Sequence, residues 1–268
     1  MMLSIATMSA AIAGYAGATW VEIRTLKSRS AAPAPWLWGL IALALVSHAI
    51  NLGHLIFYAG KVDFELLKAA SAIFWVITAF ISSVRIRRKP VASLLILTFP
   101  FAIIALLMSN LITGLKSDGL TLEPAISVHI LTSIFAYSIL SLAAVQAASI
   151  SAQERALKQH HLRGYAQFLP PLQMMEEMLF ELLWLGVALL TISIGTGFLF
   201  LHDMLGQHVA HKTVFSICAW IIFSTLLWGR HARGWRGKTA VRFTLVGFVL
   251  MMLAYFGSKF VLEIILHR

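Results

Sequence analysis

About eight times along this chain an apolar run of roughly 20 residues is closed off by a short polar connection, and roughly 20 residues is what an α-helix needs to cross a hydrocarbon core of about 30 Å. Hydrophobic residues fill 59% of the 268 positions and charged residues only 12%, too few to give a soluble protein of this size a solvated shell. Lipid must therefore supply much of the surface contact. The period-two alternation of an outer-membrane barrel is absent. The expected fold is all-α, an integral membrane bundle forming a single polytopic domain over residues 1–268. Its helices are placed near 3–22, 36–58, 64–84, 91–113, 124–149, 179–201, 212–229 and 240–265.

Basic residues set the orientation. The connections after the first, third, fifth and seventh helices hold 15 of the 21 Lys and Arg, among them Arg24, Lys27, Arg87, Arg155, Arg233 and Arg242. The alternate connections and the tail hold only Lys61, Lys116, Lys212 and Arg268, while Lys68 and Lys259 lie within helices. By the positive-inside rule the first set faces the cytoplasm, so both termini lie outside. This bias also accounts for the net charge of +10, because the cations form no stripe interleaved with aromatics and no nucleic-acid partner is expected. Met1 to Ala18 lacks a basic n-region, so the first helix is read as retained and not as a cleaved signal. The single Cys218 excludes an internal disulfide and a thiolate cluster. The longest connection, about 151–178, is divided by Pro170 and Pro171; a short helix before the prolines and an amphipathic entry into the sixth span fit its composition. No internal repeat is visible.

Histidine is the informative residue, since imidazole is expensive to place in hydrocarbon and is a common ligand for haem iron. On this topology His160, His161 and His231 face the cytoplasm. His54, His129, His202, His208, His211 and His267 fall at or near the outer face, and His48 lies near mid-membrane in the second helix. Loop histidines are most simply solvated, whereas His129, inside the fifth helix, and His48 each need a hydrogen-bond partner or a ligand. His48 and His54 are six apart and do not share a helical face. His208 and His211 are three apart, but no zinc-enzyme carboxylate accompanies them. Trp36, Trp38, Trp184, Trp228 and Trp235 read as interfacial anchors, with Trp220 deeper. Lys259 and Glu263 are spaced for an ion pair, and Gly195, Gly197, Gly247 and Gly257 for close helix approach. Pro100 interrupts the fourth span. No nucleophile, paired carboxylate or phosphate loop appears, so no enzyme is expected.

Three stretches carry a family resemblance. They are His129-Ile-Leu-Thr-Ser-Ile-Phe-Ala-Tyr137-Ser138; Gly186 to Gly197 continuing into His211-Lys212-Thr213, Trp220, Arg230 and Gly234-Trp235-Arg236-Gly237; and Gly247-Phe248 with Ala254 to Phe260. Weakly from the second helix and clearly from Ser127 to Leu266, the chain resembles the membrane haem-handling proteins of cytochrome c assembly, the CcsA and CcmC type, and is most similar to the HemX or YpjD branch. The resemblance implies a multi-pass protein of the bacterial inner membrane with a haem site in which His129 is the axial ligand. His267, His211 and His208 are candidates for the opposite ligand or for propionate contacts, with His48 as a further candidate. The chain also departs from the family. Its outer loop, Leu205-Gly206-Gln207-His208-Val209-Ala210-His211, keeps the glycine of the family's Trp-Gly-x-x-Trp-x-Trp-Asp pattern but none of the tryptophans, and Trp228 stands where haem-carrying members have a membrane histidine.

Two readings follow. In the first, the protein binds or presents haem at the outer face, as an accessory to cytochrome c biogenesis. In the second, it is a haem-free scaffold or regulator, acting on haem biosynthesis or on another membrane protein as HemX-type members do. The expected partners are membrane lipid, haem and, on the second reading, a membrane protein. A solute transporter is disfavoured, because no string of ionisable residues faces inward.

Overall fold

The computed structural model describes residues 2–28, 34–58, 61–63, 65–87, 91–112, 124–159, 168–200 and 210–257. It contains eight helices: α1 Met2–Lys27, α2 Trp36–Ile56, α3 Leu66–Arg87, α4 Ala92–Leu111, α5 Pro124–Lys158, α6 Leu172–Phe200, α7 Ala210–Arg233 and α8 Lys238–Met252. Seven of them, α2 to α8, are long and apolar enough to cross a membrane; α8 qualifies together with the π-helical turn Leu253–Gly257 that continues it. The chain divides into two compact units, Met1–Thr121 and Leu122–Arg268. In unit 1, α1 and α3 each pack against α2 and α4; in unit 2, α5 and α7 each pack against α6 and α8. Each odd-numbered helix ends on a cation, Lys27, Arg87, Lys158 or Arg233, the pattern that the loop charges predict.

The outer surfaces match a lipid solvent. Leu43, Val46 and Ile50 on α2, Phe101 and Ile104 on α4, and Ile192 and Leu199 on α6 are exposed, an apolar area that water would not tolerate and acyl chains cover. Trp36, Trp184 and Trp228 are also exposed, as anchoring requires.

Most helices match their expected spans to within about five residues, α1 running on to Lys27 and α7 to Arg233, and three of the boundaries that differ have a visible cause. α2 stops at Ile56, because Phe57–Tyr58 pairs antiparallel with Lys61–Val62 and Asp63 N–H donates to the Ile56 carbonyl, which closes the turn before α3. The hairpin is two residues per strand, so the all-helical class stands. α5 runs nine residues past its expected end at 149, and α6 begins at Leu172, seven before the expected 179. Polar side chains fasten these extensions: Gln146 Nε2 donates to the Met175 carbonyl at 2.9 Å and Gln153 Nε2 to the Pro170 carbonyl at 2.9 Å. A Glu154–Lys158 pair one turn apart closes α5. The short helix foreseen before the prolines falls mostly outside the described residues.

Glycine allows close approach where helices cross, though not everywhere expected. A Cβ on Gly247 would lie 2.8 Å from the Phe223 ring, so its packing role holds, whereas Gly195 has nothing within 4 Å and is no contact point. A crossing against backbone, at Gly14, went unnoticed in the sequence: a Cβ there would stand 2.8 Å from the Ala44 nitrogen and 2.9 Å from the Leu40 carbonyl. Backbone cannot retreat as a flexible side chain can. Gly14→Leu is therefore expected to lose about 1–3 kcal/mol, the usual range for overpacking, and to lower the melting temperature in detergent. Gly39→Ala, into open space, is the control, and equal melting curves for the two variants would refute the crossing.

Candidate functional site

His129 lies in the second turn of α5, half-buried against α6. Its Nδ1 is 2.8 Å from the Ser193 carbonyl oxygen, and a carbonyl only accepts, so Nδ1 carries the proton and donates. Thr196 Oγ1 stands 3.5 Å from the same nitrogen. Ser133, one turn further along α5, donates to the His129 carbonyl at 2.6 Å or shares a proton with Ser193 Oγ at 2.7 Å. The imidazole is thus held in one tautomer and one orientation, with Nε2 left as a bare lone pair. Among the described residues no side chain bonds to that nitrogen.

The same face of α5 continues inward. His129, Ser133 and Tyr137 are spaced by four, so they form one stripe. Tyr137 Oη donates to the Met251 carbonyl at 2.9 Å, next to the π-helical turn Leu253–Gly257, and its ring meets Tyr255 edge-on at 5.9 Å. A π turn widens the helix and exposes backbone carbonyls to side-chain donors. On the facing side, Trp220 Nε1 donates to Thr191 Oγ1 at 2.8 Å, so the deeper tryptophan is a helix tie and not an anchor.

His48 presents the opposite case. It is fully buried in unit 1, its Nδ1 3.1 Å from Tyr15 Oη and its Nε2 3.0 Å from Ser71 Oγ. Both ring nitrogens are committed to hydroxyls, so this histidine is a hydrogen-bond bridge and not an open ligand. One turn away, Asn51 Nδ2 donates to the Ser4 carbonyl at 2.9 Å and accepts at Oδ1 from Asn110 at 3.0 Å, tying α1, α2 and α4 together. His54 is exposed, on another face from His48 as its spacing requires.

The remaining candidates are placed only in part. His211 begins α7, but its side chain lies outside the described residues, as do His208, His267 and the Lys259–Glu263 pair. Among the described residues no three His, Cys, Asp or Glu gather to hold a metal ion. The structure therefore shows one histidine with an unengaged nitrogen at a helix–helix seam and another closed off in a polar core. Ser133 and Ser193 were missed in the sequence, although the four-residue spacing of Ser133 from both His129 and Tyr137 was there to be read.

A multi-span helical membrane protein with a half-buried histidine near a helix start is the class these features define. The family described as cytochrome C assembly protein matches residues 37–266, most of the chain, and the protein belongs to that family. It is 34% identical over 225 residues to the inner membrane protein YpjD of Escherichia coli strain K12, covering 83% of this chain and 85% of that one. An uncharacterized 28.8 kDa protein of Azospirillum brasilense is 35% identical over 143 residues, 53% of either chain. The cytochrome c biogenesis protein CcsA of Gloeobacter violaceus is 29% identical over 91 residues, 33% of this chain and 27% of that one. No solved structure gives a significant match.

Proposed function

We propose that this is a bacterial inner-membrane protein that binds or presents haem at its outer face through His129, as an accessory to cytochrome c biogenesis. The bond from His129 Nδ1 to the Ser193 carbonyl carries the reading. A ligating histidine usually donates its other ring N–H to a carbonyl or carboxylate, which fixes the tautomer and raises the basicity of the ligating nitrogen. His129 has that arrangement. Half-burial at the α5–α6 seam gives a large apolar ring a surface to lie against while keeping the iron ligand reachable. His129 Nε2 would hold the haem, which would supply a redox-active iron. The chain's own contribution is ligation, orientation and partial exclusion of water. His267, His211 and His208 are proposed for the opposite ligand or for the propionates.

The missing outer-loop tryptophans favour an accessory role over full delivery of haem. They also fit the haem-free scaffold acting on haem biosynthesis or on a membrane partner. Optical spectra of the protein purified in detergent from a haem-replete host separate the two. A Soret band scaling with protein is expected, and its absence from the wild type would leave the scaffold reading standing.

A further inference from the structure

The sequence shows no inward string of ionisable residues, yet α3 has one face that is polar from end to end. Lys68, Ser71, Trp75, Thr78, Ser82 and Arg85 follow alternating steps of three and four, the spacing of a single helical stripe. Ser71 and Thr78 are fully buried and Ser82 and Arg85 nearly so. The stripe runs 17 residues, about 25 Å at 1.5 Å per residue, most of the depth of a bilayer core. Burying so many polar groups in a membrane unit is costly, and such strings commonly mark a pathway.

We propose that unit 1 transfers protons between its two ends along this face of α3. One end is an ionic triad in which Lys68 Nζ lies 2.7 Å from Asp63 and 3.1 Å from Glu65. The other is the buried pair of Arg85 and Glu22, Nε to Oε1 at 3.0 Å. Between them the only gap of two turns with no hydroxyl on α3, from Ser71 to Thr78, is bridged by other helices. Ser71 Oγ meets His48 Nε2 at 3.0 Å, His48 Nδ1 meets Tyr15 Oη at 3.1 Å, and Tyr15 Oη meets Thr78 Oγ1 at 3.1 Å. Trp75, in the middle of the gap, donates instead to the Leu45 carbonyl at 2.9 Å.

The three links of this bridge can run in either direction, because each joins two groups that both donate and accept. With the proton on Nδ1, Ser71 donates to His48, His48 to Tyr15, and Tyr15 to Thr78, which itself donates to the Phe74 or Trp75 carbonyl. With the proton on Nε2, each of the three links reverses. A proton arriving at His48 Nε2 from Ser71 releases the one on Nδ1 to Tyr15, and the phenol proton passes to Thr78; Ser71 is reprotonated from the Lys68 end and Thr78 gives up its own proton toward Ser82, so each group gains one proton and loses one, no electron moves, and the chain must turn back to the Nδ1–H arrangement before the next proton. Beyond Thr78, Ser82 Oγ and, on the neighbouring α4, Thr98 Oγ1 are buried with no partner among the described residues. A water between hydroxyls one turn apart, about 5 Å, would continue the path from Thr78 by way of Ser82 toward the Arg85–Glu22 pair. The bridge leaves no room for a larger solute, since Tyr15, His48, Ser71 and Thr78 are all fully buried.

The test uses the full-length protein in liposomes of phosphatidylethanolamine and phosphatidylglycerol with an entrapped pH-sensitive dye, driven by a valinomycin-clamped potassium gradient. Proton uptake faster than in protein-free liposomes is expected. His48→Gln, which keeps a hydrogen-bonding side chain but cannot shuttle a proton, is expected to lose the protein-dependent flux, as is Thr78→Val, while Thr78→Ser retains it. Wild-type flux equal to that of empty liposomes, or undiminished flux in His48→Gln of wild-type melting temperature, would overturn the proposal. Neither outcome bears on His129, whose haem content is read separately.

Discussion

Alanine in place of His129 is expected to abolish the Soret band of the purified protein while leaving its melting temperature close to that of the wild type. The side chain is half-buried and its single strong bond runs to a backbone carbonyl that α6 already engages, so truncation costs little in packing. On the proposed haem reading, its consequence falls on ligation of the iron. Ser133→Ala provides a graded companion, because it removes the hydroxyl that links the His129 carbonyl to Ser193 without touching the ring. Loss of such supporting groups commonly weakens metal affinity about 10–100-fold. Haem titration of the apoprotein should rank wild type, Ser133→Ala and His129→Ala in that order. A Soret band that persists in His129→Ala would shift the ligand to the histidines of the outer loop and tail.

The second large effect is expected on folding, at the pair of Glu22 and Arg85. Both side chains are shielded, 0% and 6% exposed, and two contacts join them, Nε to Oε1 at 3.0 Å and Nη2 to Oε2 at 3.4 Å. Removing either partner strands the other's charge in a low-dielectric interior, a loss of about 3–5 kcal/mol in comparable buried pairs. Glu22→Ala and Arg85→Ala should each depress the melting temperature sharply or abolish recovery of folded protein. The double variant Glu22→Leu, Arg85→Met removes both charges at similar volume and should regain most of the loss. If both single variants melt as the wild type does, the pair is more hydrated than its burial indicates.

Much of the helical order was legible because lipid imposes it: any spanning segment must satisfy its backbone internally and present apolar side chains, which writes helices into composition. Boundaries failed where that constraint ends. The last turns of α5 and the first of α6 are amphipathic, and the side chains that hold them, Gln146 and Gln153, bond to carbonyls that no sequence pattern reveals. The same blindness applies at the site. His129 stood out by residue type, whereas its partner is a main-chain oxygen of Ser193, chemically identical to every other. On α3 the polar stripe was present in the sequence but diluted among apolar residues, so a count of charges missed what register brings together. Glycine spacing was equally ambiguous, since only a facing backbone or ring distinguishes Gly14 and Gly247 from Gly195.

The length of α5 has a mechanical consequence. Its 35 residues extend about 52 Å, some 20 Å more than the hydrocarbon core, and α6, with 29 residues, is also too long to be contained. With His129 near one end of the seam, the surplus lies at the other, where Gln146 and Gln153 rivet the two helices together. Unit 2 therefore raises a stiff two-helix post out of the bilayer on its basic side. A spin label or fluorophore on exposed Gln159 at its tip would sense tilting of the whole post.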